Sequence, residues 1–252
     1  MEEALSTIRA AGPPPRLTPP GPALSLQAMK ALIFDLDGTI FDSESAIFRA
    51  WQTVYAEQGA ELNLETWLPL LGTNEVPFDP LAHIEGLVGH PIPRSQVLER
   101  ARALEREYVE ATDTLPGVRE LIAQAQAAGL GLAVASSSGR SWVESHLERL
   151  GLREHFAVLR TRDDVERTKP DPALFLQAAS GLGIKPDEAI VLEDSLHGIR
   201  AAKAARMFVV AIPNPLTRHL DLSEANWVVP SLEAVTLEAL RQGGVKSGKA
   251  WE

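Results

Sequence analysis

Cysteine is absent from this 252-residue chain. Its absence removes disulfide scaffolds, thiolate nucleophiles and zinc–thiolate centres from consideration, and it is compatible with a cytoplasmic location. No apolar run approaches the length of a membrane span, so no membrane partner is expected. Positive charge is also in deficit: 24 Lys and Arg face 34 Asp and Glu, a net charge of −10. A nucleic-acid-binding surface is not expected from that balance. An anionic substrate remains compatible with it, because a cation, a lysine or a helix terminus can reverse the sign inside a pocket. Internal repeats are lacking, and the histidines at 83, 90, 146, 155, 197 and 219 show no metal-ligand spacing. They are read as surface or packing groups.

What is present begins with an ordinary globular composition, 45% hydrophobic and 23% charged residues. The length suits one large domain or two smaller ones. Residues 1–28 stand apart. Pro13-Pro14-Pro15 and Pro19-Pro20-Gly21-Pro22 build neither helix nor strand, and the segment lacks the basic start and apolar middle of a secretory signal. It reads as a disordered proline-rich leader. Met29 precedes the first strand directly and is expected to be the natural start. Residues 242–252 read as a flexible tail.

Ala31–Phe34, directly after Met29-Lys30, is an apolar run of the kind that forms a buried parallel strand. From Ser43 the period becomes helical: Ile47, Ala50, Trp51, Val54 and Tyr55 share one face, and Gly59 stops it. Further helix-period stretches cover Leu62–Leu71, Leu81–Val88 and Arg94–Val109, with no clear strand between them. After residue 112 helices and strands alternate. Helices are expected at Val118–Ala128, Ser141–Leu150, Pro172–Ser180, Gly198–Ala205 and, at the end, Leu232–Leu240. Strands are expected at Leu130–Ala135, Phe156–Leu159, Ala189–Leu192, Phe208–Ile212 and Trp227–Val229. This pattern predicts an α/β fold, a doubly wound parallel sheet with a Rossmann-like core built from residues 29–42 and 113–241. A small all-helical cap, residues 43–112, is inserted into it, with hinges at Phe41–Ser43 and Thr112–Pro116.

The strand ends carry the chemistry. The first ends in Asp35-Leu36-Asp37-Gly38, the second in Ser136-Ser137-Ser138, and Ala189–Leu192 in Glu193-Asp194. Lys169 lies in the intervening loop, beside Pro170. In a parallel sheet all carboxyl ends share one edge, which is where such folds bind ligands. Two acids one residue apart repel unless a cation or proton sits between them. Each motif alone has a plainer reading. Asp-x-Asp is often a turn, Ser138 or Ser141 is expected to cap the following helix, and Glu193-Asp194 suits a helix N-terminus. Asp42 is read as a cap or hinge residue, and Asp163-Asp164 as solvated loop acids. The tryptophans at 51, 67 and 142 are assigned to the core.

Four motifs in this order resemble the haloacid dehalogenase superfamily of phosphatases and phosphomutases, in particular its helical-cap subgroup near β-phosphoglucomutase and sugar-phosphate phosphatases. The resemblance spans about Met29 to Val229. It implies an enzyme in which Asp35 is the nucleophile that forms an aspartyl-phosphate and Asp37 is the general acid–base. It further implies Mg2+ as cofactor, held by Asp35, the main-chain carbonyl of Asp37 and Asp194, with Glu193 as an additional ligand or a group just behind them. Ser136, the main-chain N–H of Ser137, and Lys169 would hold the substrate phosphate. The expected partner is a small phosphorylated metabolite, and the expected state is a monomer.

Within the superfamily, Asp37 argues against carbon–halogen cleavage, where no leaving alkoxide needs a proton. A cap without lysine argues against the Schiff-base phosphonate hydrolases. β-Phosphoglucomutase carries cap cations and a histidine on the first cap helix. The matching stretches here read Leu71-Gly72-Thr73-Asn74-Glu75 and Ile47. The expected activity is therefore hydrolysis of one phosphomonoester, a sugar phosphate. The alternatives are a phosphosugar mutase and a non-catalytic phosphometabolite-binding module. Glu44, Arg49, Thr73, Asn74 and Glu75 are the candidates for substrate choice.

Overall fold

The computed structural model describes residues 29–72 and 78–242. The leader, residues 243–252 of the tail and the candidates Thr73, Asn74 and Glu75 lie outside the described residues. Strand β1 (Ala31–Phe34) leads into α1 (Ser43–Glu57), α2 (Leu64–Trp67), α3 (Pro80–Val88) and α4 (Arg94–Glu110). The chain then alternates through α5 (Val118–Ala127), β2 (Gly131–Ala135), α6 (Arg140–Arg149), β3 (Val158–Arg160), α7 (Ala173–Gly181), β4 (Ala189–Glu193), α8 (Leu196–Ala204), β5 (Phe208–Ala211) and β6 (Trp227–Val228). It closes with α9 (Leu237–Arg241). The strands pair in parallel in the spatial order β3-β2-β1-β4-β5-β6.

Every residue of β1 is buried, because helices cover both faces. The pleat sends Leu32 and Phe34 to one side, where Leu132, Val134, Ile190 and Leu192 meet apolar residues of α5, α6 and α9. Ile33, Ala133 and Val191 face the other side and pack on α7 and α8. This is the doubly wound arrangement that a run of fully apolar strands requires.

The helices α1 to α4 bury an apolar set of their own, including Trp51, Tyr55, Trp67, Ile84, Val97 and Leu104. Asp42 caps α1, its carboxylate accepting from the Ser45 N–H at 2.9 Å. The two segments that connect these helices to the sheet run side by side. Phe41 bridges Thr114, and the Leu115 N–H donates to the Ile40 carbonyl at 2.8 Å. The expected hinges are thus one paired structure rather than two separate strands of linker.

Local departures from the sequence reading have local causes. The Leu62–Leu71 stretch is only the short α2 followed by a 3-10 turn at Leu68–Leu70, since Pro69 supplies no N–H to continue the ladder. The terminal helix is split into a 3-10 turn, Leu232–Ala234, and α9. Thr236 interrupts it by capping the second piece through the Ala239 N–H.

Candidate active site

Register sets the site. Phe34 lies level with Val134 and Leu192, so the next residues, Asp35, Ala135 and Glu193, stand in a row at the carboxyl edge. Ser136 and Asp194 follow immediately. Gly38 adopts φ +84°, and a Cβ there would run into the Asp194 carboxylate and the Asn214 amide. Only glycine allows the chain to turn back past Asp194.

Asp35 is buried, 6% exposed, and Lys169 is sealed beside it at 1%. The Lys169 ammonium contacts the Asp35 carboxylate and donates to Glu193 Oε1 at 2.7 Å. The second Glu193 oxygen accepts from the Asp194 N–H (2.9 Å), the Ser195 N–H (2.8 Å) and Ser195 Oγ (2.9 Å). With both oxygens engaged, Glu193 stands behind the site acids and braces their loop. That is the position of a group just behind the ligands, one of the two places the resemblance leaves open for it. Asp194 accepts from Asn214 Nδ2 at 2.7 Å and from Thr39 Oγ1 at 3.4 Å.

One ammonium cannot balance these carboxyls. Burial pushes Asp35 up to about 8, against the pull of Lys169 and with Glu193 and Asp37 pushing the same way. Asp194 is raised well above the ordinary carboxyl range by burial, then by Glu193, Asp35 and Glu44. Burial opposes the charge on Lys169, but Asp35 and Glu193 outweigh it and hold its pKa above the usual lysine value.

Asp37 lives differently. It is half-buried, and four neutral groups donate to its carboxylate. Ser43 Oγ (2.7 Å) and Trp142 Nε1 (2.9 Å) reach Oδ1, while Ser138 Oγ (2.6 Å) and Ser136 Oγ (3.4 Å) reach Oδ2. Trp142 packs against the core, as expected, and also reaches the site, while Ser138 is not a helix cap. The cap of α6 is Gly139, and the Arg140 N–H is satisfied by Asp163 at 2.8 Å. Asp163 and Asp164 are likewise not idle loop acids. Asp164 accepts from the Thr161 main-chain N–H and pairs with Arg140 at 2.7 Å.

Asp35, Asp37 and Ser136–Ser138 line a cavity of about 290 Å³, walled on the α1 side by Ser43, Glu44, Ile47, Leu70 and Gly72. Glu44 accepts from the Gly72 N–H and is pushed up to about 8 by burial, then by Asp37 and Asp35. Of the substrate-choice candidates, Glu44 reaches this cavity. Arg49 instead lies over the Tyr108 ring, 4.7 Å from its centroid. No arginine or lysine is among the described residues lining the cavity.

A hard divalent cation fits this donor set, which offers a surplus of carboxylate oxygen around one ammonium. Among the described residues no three acidic or imidazole side chains already converge on one point. The expected set counts on the carboxylates of Asp35 and Asp194, the Asp37 carbonyl and waters, with Glu193 as a further ligand or just behind them. Sequence reasoning missed Ser138, Trp142 and Asn214. Asn214 lies 20 residues beyond Asp194, and no motif spacing announces it.

The family model of haloacid dehalogenase-like hydrolases matches residues 32–212. The Bacillus subtilis (strain 168) protein YhcW is 36% identical over 212 residues, covering 84% of this chain and 96% of its own length. Hexitol phosphatase B of Escherichia coli (strain K12) is 36% identical over 187 residues, 73% of this chain and 84% of that enzyme. A crystal structure of a CbbY mutant from Rhodobacter sphaeroides in complex with xylulose-(1,5)bisphosphate superposes with a TM-score of 0.63 at 29% identity. It covers 81% of this chain and 95% of that one.

Proposed function

Because the chain belongs to the haloacid dehalogenase-like hydrolases, we propose that it is a Mg2+-dependent phosphatase acting on one small phosphomonoester, a sugar phosphate. The observation that carries this reading is the division between the two acids. Asp35 is buried against a charged donor, whereas Asp37 opens into the same cavity among neutral ones. Asp35 attacks phosphorus, the bond from phosphorus to the substrate oxygen breaks, and Asp37 gives that oxygen a proton. Water then attacks the aspartyl-phosphate while Asp37 takes its proton, and inorganic phosphate leaves. Ser136 Oγ and the Ser137 N–H hold phosphoryl oxygens, and Lys169 supplies fixed positive charge beside Asp35. Bound Mg2+, held by Asp35, Asp194 and the Asp37 carbonyl, offsets the repulsion between these carboxylates and the phosphate.

The helices α1 to α4 act as the cap. Their wall of the cavity, with Ser43 and Glu44 beside Ile47 and Leu70, suits a small polyol next to an apolar patch. The volume, about 290 Å³, lies at the small end of ligand sites. A bisphosphate-handling mutase needs cationic partners for a second phosphate, and the described lining offers none.

Purified protein with Mg2+ should release phosphate from members of a sugar-phosphate panel, and Asp35→Asn should abolish the release. Isomerised sugar phosphate without free phosphate would establish the mutase instead. Equal inactivity of wild type and Asp35→Asn across the panel would establish a binding module.

A further inference from the structure

Trp142 sits on α6 with its ring at the cavity wall and its Nε1 aimed at Asp37. The other three donors on that carboxylate are serine hydroxyls, which rotate freely and can accept as well as donate. An indole N–H only donates, and only along the ring plane. Its direction is therefore set by whatever fixes the ring.

The ring is fixed by a chain of contacts leading to the paired crossings between α1–α4 and the sheet. The Trp142 ring meets His146 edge-on, centroids 4.1 Å apart. His146 is 8% exposed and lies against Phe41 at 5.1 Å. Arg149 Nε donates to His146 Nδ1 at 3.3 Å, and its guanidinium lies 5.5 Å from the Phe41 ring centroid. Arg149 Nη1 also donates to the Thr112 carbonyl at 2.6 Å and the Glu110 carbonyl at 3.3 Å. Phe41 and Thr112 belong to the two crossing segments themselves.

We propose that Trp142 is a positioning residue for the proton transfer performed by Asp37, its indole N–H fixing Oδ1 so that the carboxyl group faces the leaving oxygen. The proposal rests on the phosphatase reading. Within kcat/KM its consequence is confined to the proton given to the departing alkoxide, because the water step in which Asp37 acts as base comes after the aspartyl-phosphate has formed and the nucleophilic attack of Asp35 does not involve Trp142. An alkyl ester needs that proton as its P–O bond breaks. A p-nitrophenyl ester does not, since p-nitrophenolate departs as a stable anion.

The test compares kcat/KM, which reports steps up to the aspartyl-phosphate, for two substrates. One is p-nitrophenyl phosphate. The other is the best alkyl ester among glucose 6-phosphate, sorbitol 6-phosphate and phosphoglycolate. Trp142→Phe keeps the ring contact with His146 and removes the N–H. It should lower kcat/KM for the alkyl ester about tenfold more than for the aryl ester, a difference of about 1.4 kcal/mol. Should the phenylalanine variant fold poorly by melting temperature, β-(3-benzothienyl)alanine at position 142 keeps the indole shape with sulfur in place of the N–H, and the same ratio applies. Equal losses on both esters, or a gain on the alkyl ester, would overturn the proposal. If wild type hydrolyses neither ester, the phosphatase reading fails first, and the two failures are distinguished.

Discussion

Metal removal should make this protein unstable to rising pH, and Asp35 sets the magnitude. Burial raises its folded-state pKa from 3.8 to about 8. The folded state therefore keeps a proton that the unfolded chain has released. A raised value means stability that is complete below the unfolded pKa and lost as pH climbs through the folded one. Each whole proton held in this way corresponds to about 1.4 kcal/mol per pH unit. From about pH 5.5 to about pH 7.5 the Asp35 contribution is then about 3 kcal/mol. For a domain of this size that is roughly 6–12 °C in Tm. Asp194, raised by the same burial and by its acidic neighbours, adds in the same direction. Mg2+ needs the ionised carboxylates and should reverse the trend, stabilising more at the higher pH. Scanning fluorimetry in EDTA and in Mg2+ across this window reads both effects. Asp35→Asn keeps the shape and removes the titration, so its metal-free slope should be flatter by the Asp35 share. Parallel slopes for wild type and Asp35→Asn in EDTA would refute the reasoning.

Two further substitutions probe the supports of the same acids. Lys169→Met strands Asp35 and Glu193 without their buried cation, and loss of one partner from a buried pair costs about 3–5 kcal/mol. Urea denaturation at neutral pH should show that loss and a smaller one in acid, where the carboxyls take up protons; a pH-independent defect would contradict the assignment. Asn214→Ala removes the amide that orients Asp194 and leaves the Leu216 and Thr217 N–H groups without their acceptor. Mg2+ affinity should fall about 10–100-fold by calorimetry. Wild-type affinity would mean that Asn214 does not orient a metal ligand.

Much of the architecture is legible because parallel strands buried on both faces leave an unmistakable pattern. Ala31–Phe34 and Ala189–Leu192 are uninterrupted apolar runs, and their ends deliver Asp35 and Glu193-Asp194 to one edge. The misreadings share one physical origin: a contact made across the fold leaves no local period. Trp142 has the spacing of a core residue on α6, and only the Asp37 carboxylate 105 positions earlier makes it a site residue. Ser138 looks like a cap, but Asp163 satisfies the first N–H of α6 from a separate loop, leaving the serine for Asp37. Glu193 has the composition of a ligand. Its hydrogen bonds to Lys169 and to two main-chain N–H groups, which place it just behind the other acids, are equally invisible in the local sequence.

The two acids one residue apart end in opposite electrostatic settings, and the difference bears on how they divide the work. Asp35 has an ammonium at hand but too many carboxyls around it, so without a further cation it is pushed toward its neutral form. A neutral carboxyl is a poor nucleophile. Cation binding and ionisation of Asp35, the nucleophile of the proposed mechanism, are then coupled, each favouring the other through the same charge balance. Asp37 receives only hydroxyl and indole donors in its hydrogen bonds among the described residues. These four donors fix the direction of the Asp37 carboxylate within the cavity. In the proposed mechanism, this contrast of partners would leave Asp35 to form the bond to phosphorus and Asp37 to move the proton.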